Sequence, residues 1–119
     1  MQADPEAVKQ RTRALGLRII RLVDALPKTA AGKVIGTQLL RSGTAIGANY
    51  RAACRARSRA EFVAKMGIVE EEADEAVYWV ELLVAAGLVP EKRVAGLLDE
   101  ANQIVAIVVS SIKTARRKR

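Results

Sequence analysis

Apolar side chains recur along this chain at alternating steps of three and four residues, the spacing that lines one face of an α-helix. Val8, Thr12, Leu15, Ile19, Leu22 and Leu26 form the first such stripe and predict a helix from Pro5 to about Leu26. Asp4 is placed to cap it, and Pro5 suits the first helical position, where its missing N–H costs nothing. Pro27 ends the segment. A second helix is predicted from about Thr29 to Ala56, with Ile35, Leu39, Ser42, Ile46, Asn49 and Ala53 on one side. Lys33, Arg41, Arg51 and Arg55 fall on the opposite side.

Ser58-Arg59-Ala60-Glu61 is a capping-box pattern and marks the start of a third helix. Phe62, Met66, Val69, Ala73, Ala76, Val80 and Leu83 follow at heptad spacing, and Gly87 is a natural stop. The fourth helix begins near Pro90. It carries Val94, Leu97, Ala101, Ile104 and Val108 on one stripe, and Leu98, Val105, Val109 and Ile112 on another. Four amphipathic segments with short connections predict an all-α fold, an up-down-up-down four-helix bundle in one domain spanning residues 1–119. Residues from about Thr114 to Arg119 are expected to form a basic, frayed tail. No strand-like alternation, low-complexity linker or internal repeat interrupts this reading.

Gly32, Gly36, Gly43 and Gly47 add a feature that hydropathy alone does not demand. They form a stripe beside the apolar one. Each glycine inside a helix costs about 1 kcal/mol relative to alanine. Their alignment favours close approach of another helix over a weak, bent one, with Gly36, Gly43 and Gly47 as candidate packing or assembly positions.

Charge alters the picture more by its distribution than by its net value of +7. Residues 1–57 hold eleven Lys and Arg against three acids, residues 58–86 seven acids against Arg59 and Lys65, and residues 87–119 are basic again. A basic balance suggests nucleic acid or an acidic protein as partner, and a segregated one suggests pairing between copies of the chain. Arg51, Arg55, Arg57 and Arg59 flank the turn between the second and third helices. With Lys33 and Arg41 they are the candidate phosphate contacts; the alternative is that they pair with acids of the same assembly. Potential stacking side chains are few, namely Tyr50, Phe62, Tyr78 and Trp79. This argues against base-specific recognition of single strands and for sequence-tolerant contact with structured RNA or DNA.

The acidic run from Glu70 to Glu75 needs cations nearby, because acids one turn apart repel. Glu71, Asp74 and Glu75 are candidates for an assembly surface, with a solvated face as the alternative. Asn49 lies on the apolar side and is expected to hydrogen-bond locally. Enzyme chemistry finds little support. The chain has no histidine, which removes the commonest general base and metal ligand. Cys54, the single cysteine, has no histidine partner and reads as a small apolar residue. Gly43-Thr44-Ala45-Ile46-Gly47 lacks the Gly-Lys-Ser/Thr ending of a phosphate loop. No cofactor or metal is expected. The lone cysteine fits a reducing compartment, and with no signal core or long uninterrupted apolar run the sequence is read as a cytoplasmic protein without a membrane partner.

The stretch Leu39-Leu40-Arg41-Ser42-Gly43-Thr44-Ala45-Ile46-Gly47-Ala48-Asn49, followed by Arg55 and by Ser58-Arg59-Ala60-Glu61-Phe62, resembles the "four helix bundle protein" family, also called the 23S rRNA intervening-sequence protein family. The Ile-x-x-Asn element and the Ser-x-x-Glu-Phe box occur here in the family's order. The chain departs from the pattern after Asn49, where Tyr50-Arg51-Ala52-Ala53-Cys54 replaces the common Ile-Ala-Glu-Gly, and again at Met66 to Glu72. The resemblance implies an up-down bundle assembled as a homopentameric ring. Members include proteins encoded within insertions in 23S rRNA genes. A related bundle is the accessory protein of diversity-generating retroelements, which binds nucleic acid and a reverse transcriptase. The resulting expectation is a non-enzymatic, oligomeric accessory protein that binds nucleic acid and serves as a partner within a larger complex. The alternative is a structural or protein-interaction scaffold without a nucleic-acid role.

Overall fold

The computed structural model describes residues 4–117, which form four helices: α1 Pro5–Asp24, α2 Ala30–Cys54, α3 Arg59–Ala85 and α4 Glu91–Arg117. Side chains end and start them as the sequence suggests. Asp4 accepts a hydrogen bond from the Glu6 N–H, Thr29 from the Gly32 N–H at 3.1 Å, and Ser58 from the Glu61 N–H at 3.1 Å. Gly87 closes α3 with φ +76, a left-handed conformation open to glycine. There the Leu88 N–H donates to Leu83 O and the Gly87 N–H to Val84 O, which satisfies two carbonyls of the last turn.

Each helix packs against its neighbours in the order α1–α2–α3–α4 and back to α1, with the α1–α4 seam the sparsest, and the bundle is 51 Å long. Consecutive helices run antiparallel, with registers set by specific contacts. Between α1 and α2, close pairs are Thr12 with Gly47, Ile19 with Gly43 and both Val23 and Leu26 with Gly36, so paired residue numbers sum to about 59–62. The core runs along the axis through Leu15, Ile19, Leu39, Ile46, Met66, Val69, Val80, Leu83, Ile104 and Val108, all essentially inaccessible. Thr12 and Ser42 lie in it, and each hydroxyl donates to a carbonyl one turn back, Lys9 O and Gln38 O, at 3.0 Å.

Four details differ from the sequence reading. In α2 Leu39, Ser42, Ile46 and Ala53 are buried as expected, but the buried face extends toward the glycines, with Gly32, Gly36, Gly43 and Tyr50 inside and Ile35 and Asn49 half-buried. Small residues let α1 come close, which rotates the contact toward them. Phe62 packs half-buried at the edge of the core. The chain past Lys113 does not fray: α4 stays helical to Arg117, with Ile112 buried and Thr114 donating to Ser110 O, so packing holds the last turns. Lys118 and Arg119, the rest of the expected tail, lie outside the described residues. Finally, α4 is long and apolar enough to cross a membrane by length and composition. Its stripe of Val94, Leu97, Ala101, Ile104, Val108 and Ile112 is seated in the bundle core.

Candidate nucleic-acid interface

The six cations proposed from sequence separate into three environments. Lys33 is exposed at the first turn of α2, eighteen residues and thus about 27 Å along the helix from Arg51. Arg41 is engaged by α3: its guanidinium donates to Glu75 and, at 3.4 Å, to Glu72. Arg51, Arg55 and Arg57 come together at the α2–α3 corner. They line an open cleft of about 450 Å³ with Ala48, Ala52, Glu61 and Lys65. Arg59, one residue into α3, is exposed but does not line this cleft. Among the described residues, none of these corner cations forms an ion pair.

Lys65 carries no signal of its own in the sequence, yet the hairpin predicts its place. The α2–α3 register pairs residues whose numbers sum to about 116: Arg41 meets Glu75, and Arg51 meets Lys65 in the cleft. Lys9 and Arg13 are likewise outside the six. They join Arg51 on the rim of a second groove, about 350 Å³, whose apolar part includes Leu17, Ile20, Gly47 and Ala48 between α1 and α2.

The acids proposed for assembly also divide. Glu75 is occupied: Trp79 Nε1 donates to it at 3.1 Å and Arg41 donates from α2. These two contacts, the indole first, hold its carboxyl below the usual range against the opposing effect of burial. Glu71 and Asp74 are exposed on α3 and in no ion pair among the described residues. No group of three or more acidic or cysteine side chains among the described residues is arranged to hold a metal ion. A second cross-helix pair ties the sparse α1–α4 seam. Arg11 donates to both oxygens of Glu100, at 2.9 and 2.7 Å, and to Gln103 Oε1 at 2.9 Å.

The aromatic side chains are placed unfavourably for base stacking. Tyr50 is only 5% exposed, and burial pushes its hydroxyl well above the ordinary tyrosine range. Trp79 is part-buried and tied to Glu75, which leaves Tyr78 as the well-exposed ring. Asn49 donates to Ala45 O of its own helix at 2.9 Å. The glycines mostly face α1. A Cβ on Gly43 would stand 2.5 Å from Ile19 Cδ1, one on Gly36 3.2 Å from Leu26, and one on Gly47 at an ordinary 3.4 Å from Thr12. The arrangement can hold phosphate groups by charge along the α2–α3 corner; neither groove contains a nucleophile–base pair.

No curated protein matches the chain. A solved structure does: a protein of unknown function from the S23 ribosomal protein family of Bacteroides thetaiotaomicron, 34% identical, with a TM-score of 0.83 over 92% of this chain and 97% of that one. Neither that protein nor the family description specifies an enzymatic activity. The family model of the 23S rRNA-intervening sequence proteins matches residues 6–110, nearly the whole bundle. With its helix order, its Ile46-Gly47-Ala48-Asn49 element and its Ser58–Phe62 corner, the chain belongs to the 23S rRNA-intervening sequence protein family.

Proposed function

We propose that this protein is a non-enzymatic, oligomeric accessory factor that binds structured RNA or DNA through the α2–α3 corner. One observation carries the reading: Arg51, Arg55, Arg57 and Lys65 surround an open cleft with Glu61 as its one acid, and none of the four cations is neutralised by an ion pair among the described residues. Four unpaired cations that neutralise phosphates release the counterions condensed on a nucleic acid, which favours binding at low salt. The scarcity of exposed rings supports sequence tolerance. The family's association with 23S rRNA genes supports RNA as the first ligand to try.

The test is Arg51→Glu combined with Arg55→Glu, assayed by anisotropy against a labelled RNA duplex, with mass and helicity measured alongside. Binding lost at unchanged mass and helicity assigns the corner to phosphate. Parent protein without affinity at low salt would end the nucleic-acid reading. A double variant that changes mass assigns the arginines to a subunit contact.

One observation favours the scaffold as a second reading. Leu17, Ile20 and Leu40 are between 36% and 44% exposed on the α1–α2 side of the bundle. An apolar surface of this kind is suited to another protein, including a second copy of the chain. The homopentamer implied by the family resemblance is the assembly proposed, and it is compatible with either function.

A further inference from the structure

The bundle is electrically one-ended. Cut across its middle at the level where Arg11 meets Glu100, the half holding residues 4–14, 42–71 and 100–117 carries eleven Lys and Arg against six acids. The other half, residues 15–41 and 72–99, carries seven against seven. Nearly all the excess charge therefore sits at one end. The up-down topology makes this so, because α2 ends, α3 begins and α4 ends at the same pole. Two segments far apart in sequence thus bring Arg51, Arg55, Arg57, Lys113, Arg116 and Arg117 to that end. The long axis is 51 Å, several times the screening length of about 8–10 Å in physiological salt, so phosphate at one pole does not sense charge at the other.

We propose that nucleic-acid phosphates are held by this pole as a whole, with the last turn of α4 acting together with the α2–α3 corner. The proposal rests on the nucleic-acid reading above and extends it to residues of α4. Two observations support it. First, α4 is a packed helix to Arg117, with Ile112 buried and Thr114 and Ala115 half-buried, so Arg116 and Arg117 are carried on a defined element. Second, none of the six cations is in an ion pair among the described residues, whereas Arg11 and Arg41, nearer mid-bundle, both are. Compensation of the α4 dipole accounts for cations in its last turn. The same effect in α2 accounts for Arg51, in the last turn of that helix, but not for Arg57 in the connecting loop.

The experiment compares two charge-matched full-length variants. Arg116→Glu/Arg117→Glu alters the basic pole. Lys28→Glu/Lys92→Glu alters exposed, unpaired positions at the other end. Each is titrated against a labelled RNA duplex across a salt series, with circular dichroism as the fold control. Arg116→Gln/Arg117→Gln is the milder form should the reversal unwind the last turn. The expected result is at least a tenfold loss for the α4 variant. The dependence of log K on log salt should become shallower by about 2, at roughly 0.9 for each phosphate that the variant no longer engages. The opposite-end variant stays within about twofold of the parent, as screening over this distance requires. Equal losses in the two variants overturn the proposal in favour of diffuse attraction to net charge. An unaffected α4 variant, alongside an Arg51/Arg55 variant that no longer binds, overturns it while leaving the corner site intact. A parent that does not bind defeats both readings together.

Discussion

Gly43 sits directly against Ile19, so close that a Cβ at position 43 would stand 2.5 Å from Ile19 Cδ1 and 2.9 Å from Cγ2. Ile19 is fully buried. It cannot swing away without vacating core, so the α1–α2 distance depends on the missing side chain.

The glycines are therefore not equivalent in their tolerance of substitution. Gly43→Ala is expected to destabilise by about 1–3 kcal/mol through overpacking, offset in part by better helix propensity. Gly67 on α3 has nothing within 4 Å of its would-be Cβ. Gly67→Ala should stabilise by roughly 0.5–1 kcal/mol. Urea denaturation of the two variants gives opposite shifts in midpoint; shifts of the same sign would refute the packing account.

The Arg11–Glu100 pair makes stability fall in acid. Hydrogen bonding by Arg11 is the main cause that holds the Glu100 carboxyl below its ordinary value, with burial acting the other way. A carboxylate whose folded pKa is depressed adds stability that is fully present above the unfolded value of about 4.3 and is lost as pH falls through the folded one. Glu100→Gln should flatten this part of the pH profile. Arg11→Ala should cost roughly 0.5–1 kcal/mol at neutral pH, since both side chains keep partial contact with water. Denaturant midpoints across about pH 3–7 check both effects.

Arg41 tests whether a basic residue counts as a binding residue by charge or by availability. Its guanidinium already serves Glu72 and Glu75. Arg41→Ala should leave RNA affinity within about twofold, as for a cation whose charge is already locally balanced, whereas reversal at Arg51 and Arg55 removes binding. The same substitution should raise the Glu75 pKa. Trp79→Phe should raise it further, because the indole hydrogen bond is the larger of the two causes. Carboxyl titration by NMR reads both changes.

Much of the architecture is legible in the sequence because caps and stripes are local signals. Asp4, Thr29, Ser58 and Gly87 mark helix ends through their own backbone neighbourhoods. The stripe on α1, that on α3 apart from Phe62, and the first stripe on α4 match the buried residues, while Leu98, Val105 and Val109 of the second α4 stripe are half-buried. What is not legible depends on register. Hydropathy treats glycine as weakly apolar and tyrosine as amphipathic, so the α2 face read from it includes Asn49 and omits Gly43 and Tyr50. Contact with α1 puts Gly43 and Tyr50 inside instead. Likewise, a helical wheel places Arg41 and Arg51 together, although only the α2–α3 pairing reveals that one meets acids and the other meets Lys65.

Leu17 and Ile20 are one turn apart on α1 and line the same α1–α2 groove, and Leu40 is exposed on α2. A closed ring joins two different surfaces of each copy. The second surface proposed is the outer side of α3, where Glu71, Asp74 and Tyr78 are exposed, because Lys9 and Arg13 line the groove beside Leu17 and complement those acids. The parent should scatter light as about five times its 12.9 kDa mass. Leu17→Lys with Ile20→Lys should reduce this to a monomer at unchanged helicity, since neither side chain supports the core. Glu71→Lys with Asp74→Lys should do the same through the opposite face. Mixing those two variants should not restore a ring, because each still lacks a surface that a closed cycle needs at every joint. A parent that is monomeric at micromolar concentration would refute the ring. A parent pentamer unaffected by either pair of substitutions would instead place its joints on surfaces other than α1 and α3.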